Sequence, residues 1–337
     1  MKKFMCIIFA AVMALSVFTA CGAPADDGVT KVAIVQQLDH ASLDEIRAAI
    51  EAELTAASIE FEVFNGQNDA TVLNQIGAQV VSDNFDAIIP IATLAAQCMV
   101  TAADGYNIPI IYAACSDPES AGLTGMDTVT GTSDALNTRF IIDMMLAVNP
   151  DISCVGLLYS NSEINSETPI AEAKAYLDEL GIEYLEKTGN AADEVVTAAN
   201  ALVGRCDAVF TPTDNVVMNV AGAVAEILNA AGIPHYTGAD SFVSAGAFAT
   251  CGVNYTELGT YTGKMAVNIL NGGDVPEFHI MDGGIISYNS ESAAKLGLDA
   301  SVFESMANTV VDMAEYNFST TKLRASSRWL AVTHQPG

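Results

Sequence analysis

Basic side chains are scarce in this chain: 13 lysines and arginines stand against 41 aspartates and glutamates. A formal net charge of −28 repels phosphate backbones and anionic headgroups, so nucleic acid and acidic membrane surfaces are excluded as partners. Most of the acid is read as solvation of helix faces. The sequence has no G-x-S-x-G elbow, no P-loop and no dinucleotide fingerprint. Its four histidines, two of them at His279 and His334, offer no metal cluster. An enzyme is therefore not expected, nor a cofactor or a metal. Beyond the first twenty residues no apolar run is long enough to cross a bilayer as a helix. Cysteines are few and scattered. Cys98, Cys115, Cys154, Cys206 and Cys251 lie in apolar segments without metal-ligand or redox spacing, and read as small buried apolar residues rather than a disulfide framework.

What is present begins with a processing signal over residues 1–20. Lys2 and Lys3 make a basic start, Phe4 to Phe18 form an uncharged apolar run, and Thr19-Ala20-Cys21-Gly22 fits the cleavage site of a bacterial lipoprotein. Export is expected on either reading of that site, with lipidation at Cys21 tethering the chain to the extracytoplasmic side of the membrane. Cleavage removes two lysines and no acid, leaving a mature charge of −30. Residues 21–30 read as a linker.

From Lys31 the chain alternates β-branched runs with amphipathic helical stretches. Strands are predicted at Val32–Val35, Phe61–Phe64, Ala87–Ile91, Pro109–Tyr112, Val155–Tyr159, Glu183–Glu186, Ala208–Thr211 and Pro234–Thr237. Ser42 with Glu45 forms a capping box, and Gly181 and Gly232 stop two helices. Such alternation implies α/β architecture with parallel sheets covered on both faces. An internal repeat refines this. Val32-Ala-Ile-Val35 recurs as Val155-Gly-Leu-Leu158, Asp86-Ala-Ile-Ile89 as Asp207-Ala-Val-Phe210, and Ile108-Pro109 as Ile233-Pro234, at offsets of 123, 121 and 125 residues. Two similarly wound lobes follow, with a ligand expected beyond the carboxyl ends of their strands.

The repeat therefore pairs Gln36–His40 with Ser160–Asn165, Thr93 with Asp214, and Ala113–Asp117 with Gly238–Phe242 across a cleft. The opening Val-Ala-Ile-Val-Gln, Ala92-Thr93-Leu94-Ala95-Ala96-Gln97, Ser116-Asp117-Pro118, Val129-Thr130-Gly131-Thr132-Ser133, Tyr159-Ser-Asn-Ser-Glu163 and Pro212-Thr213-Asp214-Asn215 together resemble the type I periplasmic binding folds of ABC importers, and within them the tryptophan/tyrosine-type substrate-binding proteins. The resemblance runs from about Lys31 to Asp299. It implies two doubly wound (Rossmann-like) parallel-sheet lobes joined by a three-strand hinge, with crossings near Ser116, Phe242 and His279. Lobe 1 is then 31–115 plus 243–278, lobe 2 is 116–242 plus 279–312, and 313–337 is an atypical tail of reversed charge. It also implies an ABC permease as partner and an aromatic amino acid as ligand, carried by a monomer.

For a zwitterion, Asp214 is the first choice as ammonium partner, unless it or Asn215 serves only to cap the next helix. Thr93 and Ser116 with the N–H groups of Leu94 and Ala95 would hold the carboxylate, since no lysine or arginine falls at a strand end. Thr93 reads equally as a helix cap and no more. Ser162, Glu163 and Asn165 follow a central strand and are either cleft or plain surface; Thr213 and Asn215 flank Asp214. Asp240 either accepts from the amine or stabilises its turn. His40 is a contact or a structural hydrogen-bonder, and Leu38, Tyr112, Tyr159 and Phe242 are candidate walls. A sugar or nucleoside on the same fold, or a sensor reporting to a membrane receptor, are the alternative functions.

Overall fold

The computed structural model describes residues 29–314. The predicted signal peptide, Cys21, most of the linker and residues 315–337 of the tail lie outside the described residues. The described residues contain two sheets.

The first sheet has the order β11-β5-β4-β3-β1-β2. Its strands are β1 (Lys31–Gln36), β2 (Glu60–Asn65), β3 (Ala87–Ile91), β4 (Ile110–Tyr112), β5 (Val129–Ser133) and β11 (His279–Ile280). The second sheet runs β13-β12-β10-β9-β8-β6-β7. It comprises β6 (Cys154–Tyr159), β7 (Glu183–Thr188), β8 (Ala208–Thr211), β9 (His235–Thr237), β10 (Ala249–Gly252), β12 (Ile285–Tyr288) and β13 (Thr309–Asp312). All neighbours pair in parallel except β10 with β12. The orders 2-1-3-4-5 and 7-6-8-9-10 are the same winding used twice, which is the repeat in three dimensions.

Val32 to Val35 are wholly buried because helices cover both faces of the sheet, leaving no solvent side for polar alternation. On one face, α1 (Ala41–Ala56) packs against α10 (Tyr255–Leu270). Gly259 permits that approach: a Cβ there would collide with the Ile46 carbonyl and lie 2.8 Å from the Ala49 methyl. α10 is in the first lobe, as the resemblance implies.

The lobe boundaries differ from those expected. β5 pairs with β4 (Ile110↔Val129), so the chain stays in the first lobe past Ser116 and crosses at residues 134–137. β10 pairs with β9, moving the second crossing from Phe242 to residues 253–254, and β11 pairs with β5, moving the third from His279 to residues 281–284. The physical reason is compositional. β5 is Val-Thr-Gly-Thr-Ser and β10 is Ala-Thr-Cys-Gly, too small and polar to look like buried strands, yet both are held by backbone hydrogen bonds at the hinge-proximal side of each sheet.

Cys98, Cys115, Cys206 and Cys251 are buried and Cys154 partly so, all as free thiols. Among the described residues no helix is long and apolar enough to cross a membrane.

Candidate functional site

The carboxyl ends of the two sheets face one another, and the lobes are shut. One apolar cluster runs without a break from Leu38, Leu43, Ala92 and Ala114 of the first lobe to Val217, Ala239 and Phe242 of the second. The space left between them is only about 30 Å³, room for one or two waters.

Five polar links join the lobes among the described residues, one of them from Thr168 Oγ1 to Asp117 Oδ2 at 2.6 Å. Gln37 Nε2 donates to Glu163 Oε1 at 3.2 Å, and Ser42 Oγ to Asp240 Oδ1 at 2.9 Å. Ser116 and Thr213 share a hydroxyl–hydroxyl bond of 2.9 Å; because Ser116 gives its proton to Asp134 Oδ1, Thr213 is the donor. His40 hydrogen-bonds the side chain of Asn215. The sequence places His40, Thr93, Ser116, Asn165, Thr213, Asp214 and Asn215 at this cleft, and all seven line it.

Their duties are partly redistributed. Asp214 is the cap of α7 (Asn215–Met218): Oδ1 accepts the Val217 N–H at 2.9 Å, while Oδ2 takes the Ser160 N–H and the Ser166 hydroxyl, each at 2.7 Å. Of the two residues weighed for the cap, Asp214 takes it. Asn215 turns inward, donating to Glu163 Oε2 at 2.9 Å. Glu163 is thus a buried acceptor for both lobes, its carboxyl raised above the ordinary range by burial and then by nearby Asp214. Asn165, on a short 3-10 turn (Ile164–Ser166), donates to the Thr213 carbonyl at 2.6 Å.

Thr93, Leu94 and Ala95 open α3 (Thr93–Ala102), but the cap position is Ala92, held at φ 76°, a left-handed conformation costly for a residue with a Cβ. The Leu94 N–H, expected to hold a carboxylate, is taken by Gln37 Oε1 at 3.0 Å. Thr93 instead bonds the Cys115 thiol. Asp240 clasps Ser42 rather than lining the space, and withdrawal from water pushes its carboxyl up to about 6. Ser162 is exposed and paired with Ser160 at 2.6 Å, so it belongs to the rim. Leu38 lies in the core beneath the cleft. Tyr112 is fully buried in the first lobe's own core, and Tyr159 donates to Glu186 at 2.7 Å, away from the cleft; neither is a wall.

Phe242 is a wall, together with Tyr255, which the sequence reading missed along with Asp134. Tyr255 Oη reaches Asp134 Oδ2 at 3.4 Å, and burial raises both groups. Both residues sit at the first two crossings, and the displaced hinge assignment hid them.

The sequence profile described as "ABC transporter substrate binding protein" matches residues 31–308. A tyrosine-binding protein of Clostridioides difficile (strain R20291) is 31% identical over 301 residues, covering 82% of this chain and 87% of that one. Among solved structures, an ABC domain from Streptococcus pneumonia in complex with L-Trp is 27% identical, with a TM-score of 0.78 over 84% of this chain and 100% of that one. The ligand-free, open structure of a Clostridium difficile substrate-binding protein with adhesive properties is 30% identical over 84% of this chain and 99% of that one, yet its TM-score is 0.64. The greater similarity to the ligand complex agrees with the shut cleft described above. Architecture, topology and the extent of the match place the chain in the family of ABC transporter substrate-binding proteins, with the type I periplasmic binding fold.

Proposed function

We propose that this chain is the extracytoplasmic, lipid-anchored receptor of an ABC importer, a monomer that closes on a free L-amino acid, aromatic by preference, and presents it to the membrane permease. The cleft chemistry carries the reading. Asp134, Glu163 and Asp214 are buried at or beside the cavity, and among the described residues no lysine or arginine lines it. Buried carboxylates without a cation are costly, and an ammonium group between the lobes supplies the missing charge. The Asn165 amide, with one N–H beyond the bond it makes to the Thr213 carbonyl, is a donor of the kind a carboxylate site without a cation uses. Phe242, Tyr255, Met218 and Leu43 give the apolar remainder. The tyrosine- and L-Trp-binding relatives support the same ligand class, and the lipoprotein signal ending at Cys21 supports tethering outside the cytoplasm.

A thermal-shift screen of the mature protein against all common L-amino acids, sugars and nucleosides tests this. A ligand at a thousandfold its dissociation constant adds about 4 kcal/mol of stability. Stabilisation by one or a few amino acids is expected; stabilisation by sugars or nucleosides alone would leave the fold and overturn the ligand.

A further inference from the structure

Two polar atoms in the cleft have no partner among the described residues, and they come from opposite lobes. His40 Nδ1 belongs to the first lobe and Ser241 Oγ to the second; both residues line the same cavity, and both atoms are sealed from solvent. His40 as a residue is partly exposed, while Ser241 is buried. Native structures rarely leave buried polar groups unpaired, so a pair of them facing one cavity calls for a ligand group or trapped water.

The neighbouring bonds fix what Nδ1 can accept. Asn215 gives one amide N–H to Glu163, and its bond to His40 favours the charged imidazole, as an amide oxygen accepting from a ring N–H does. A neutral imidazole carries one N–H and one bare lone pair, and with the proton on Nε2 the unpaired Nδ1 is an acceptor. Burial first, moderated by Asn215 and Asp44, holds the imidazole down at about 4, so it stays neutral at physiological pH. A neutral acceptor is poorly matched to a ligand carboxylate. The ammonium already has the carboxylates of Asp134 and Asp214 nearby.

We infer that His40 and Ser241 are specificity-determining residues that read the ligand's side chain and select one ending in an O–H or N–H donor, such as a phenol, over a plain phenyl ring. The inference rests on the amino-acid reading above. With the lobes parted enough to admit it, a phenol donates its proton to His40 Nδ1 and accepts from the Ser241 hydroxyl, and the adjacent Phe242 ring supplies an apolar wall. A phenyl ring leaves both protein atoms buried and unpaired, and sites built around such groups reject the analogue that lacks the partner.

Isothermal titration with L-tyrosine and L-phenylalanine, on the wild type and on His40→Leu, His40→Asn and Ser241→Ala, reads the ratio of the two affinities, in which a general loss from misfolding cancels. The wild type is expected to prefer tyrosine by about tenfold or more, as one lost buried hydrogen bond implies. The ratio should fall towards unity in His40→Leu, be retained at least in part by His40→Asn, whose amide oxygen stands near the Nδ1 position, and drop in Ser241→Ala, which removes one atom. Equal affinities in the wild type, or a ratio unmoved by His40→Leu and Ser241→Ala, would overturn the inference and leave trapped water as the partner of both atoms. Binding of neither amino acid, with a sugar or nucleoside bound instead, would overturn the ligand class itself.

Discussion

Gln37 and Glu163 are joined across the cleft at 3.2 Å, while the same glutamine accepts the Leu94 N–H at 3.0 Å and donates to Asn68 Oδ1 at 2.8 Å. One side chain thereby connects β1, the loop after β2 and the start of α3 to the loop after β6 in the other lobe. The glutamine is wholly buried, so none of these bonds competes with bulk water.

Gln37→Ala should therefore loosen the shut state as well as the first lobe's own loops. The expected result is a larger radius of gyration for the ligand-free variant in small-angle scattering and a ligand affinity weaker by about tenfold, the scale of a single buried hydrogen bond. An unchanged scattering profile and affinity would show that the Gln37–Glu163 contact contributes nothing to closure.

Asp214 is expected to act mainly on stability. Asp214→Ala strands two backbone N–H groups and the Ser166 hydroxyl in the interior and should cost about 3 kcal/mol or more in urea denaturation. Asp214→Asn keeps one acceptor oxygen and should cost less. Lost ligand binding in the alanine variant is informative only alongside that stability measurement.

Two buried acids make stability pH-dependent. Asp240 is shifted from 3.8 to about 6, and Glu45 from 4.5 to about 7, each chiefly by burial and Glu45 further by Asp240. Both are raised, so the folded protein holds protons that the unfolded chain releases. Their stabilisation is complete below pH 4 and is lost as pH rises through 6 to 7. The melting temperature should fall between pH 5 and pH 7.5 by more in the wild type than in Asp240→Asn. Parallel slopes for the two proteins would contradict the assignment.

Gly259→Ala probes the α1–α10 contact. The added methyl meets the Ile46 carbonyl and Ala49, neither of which is a flexible side-chain end, so the helices must separate at a cost of about 1–3 kcal/mol. Chemical denaturation measures it, and a neutral result would mean that the helices move apart freely.

Much of this was legible in the residues. The recurrence of Val-Ala-Ile-Val as Val-Gly-Leu-Leu marks the two central strands, because strands buried on both faces must be continuously apolar. The cleft residues followed from where those strands end. Asp134 and Tyr255 did not, since they depend on the crossings, and β5 and β10 are built from threonine, glycine, alanine and cysteine that carry no strand periodicity. Nor could the sequence decide which of Asp214 and Asn215 would cap α7: both are good caps, and the choice turns on Ser160 and Ser166, about fifty residues earlier in the chain. The partnerless atoms of His40 and Ser241 are set by the folded packing and carry no signal in the residue order.

The central claim is that the cleft between the lobes is an amino-acid site, and isothermal titration of the mature protein with L-tyrosine, L-tryptophan, myo-inositol and D-glucose tests it most directly. The account predicts saturable one-to-one binding of at least one of the two amino acids and no heat from either polyol or sugar. Binding of inositol or glucose with no response to the amino acids would contradict it.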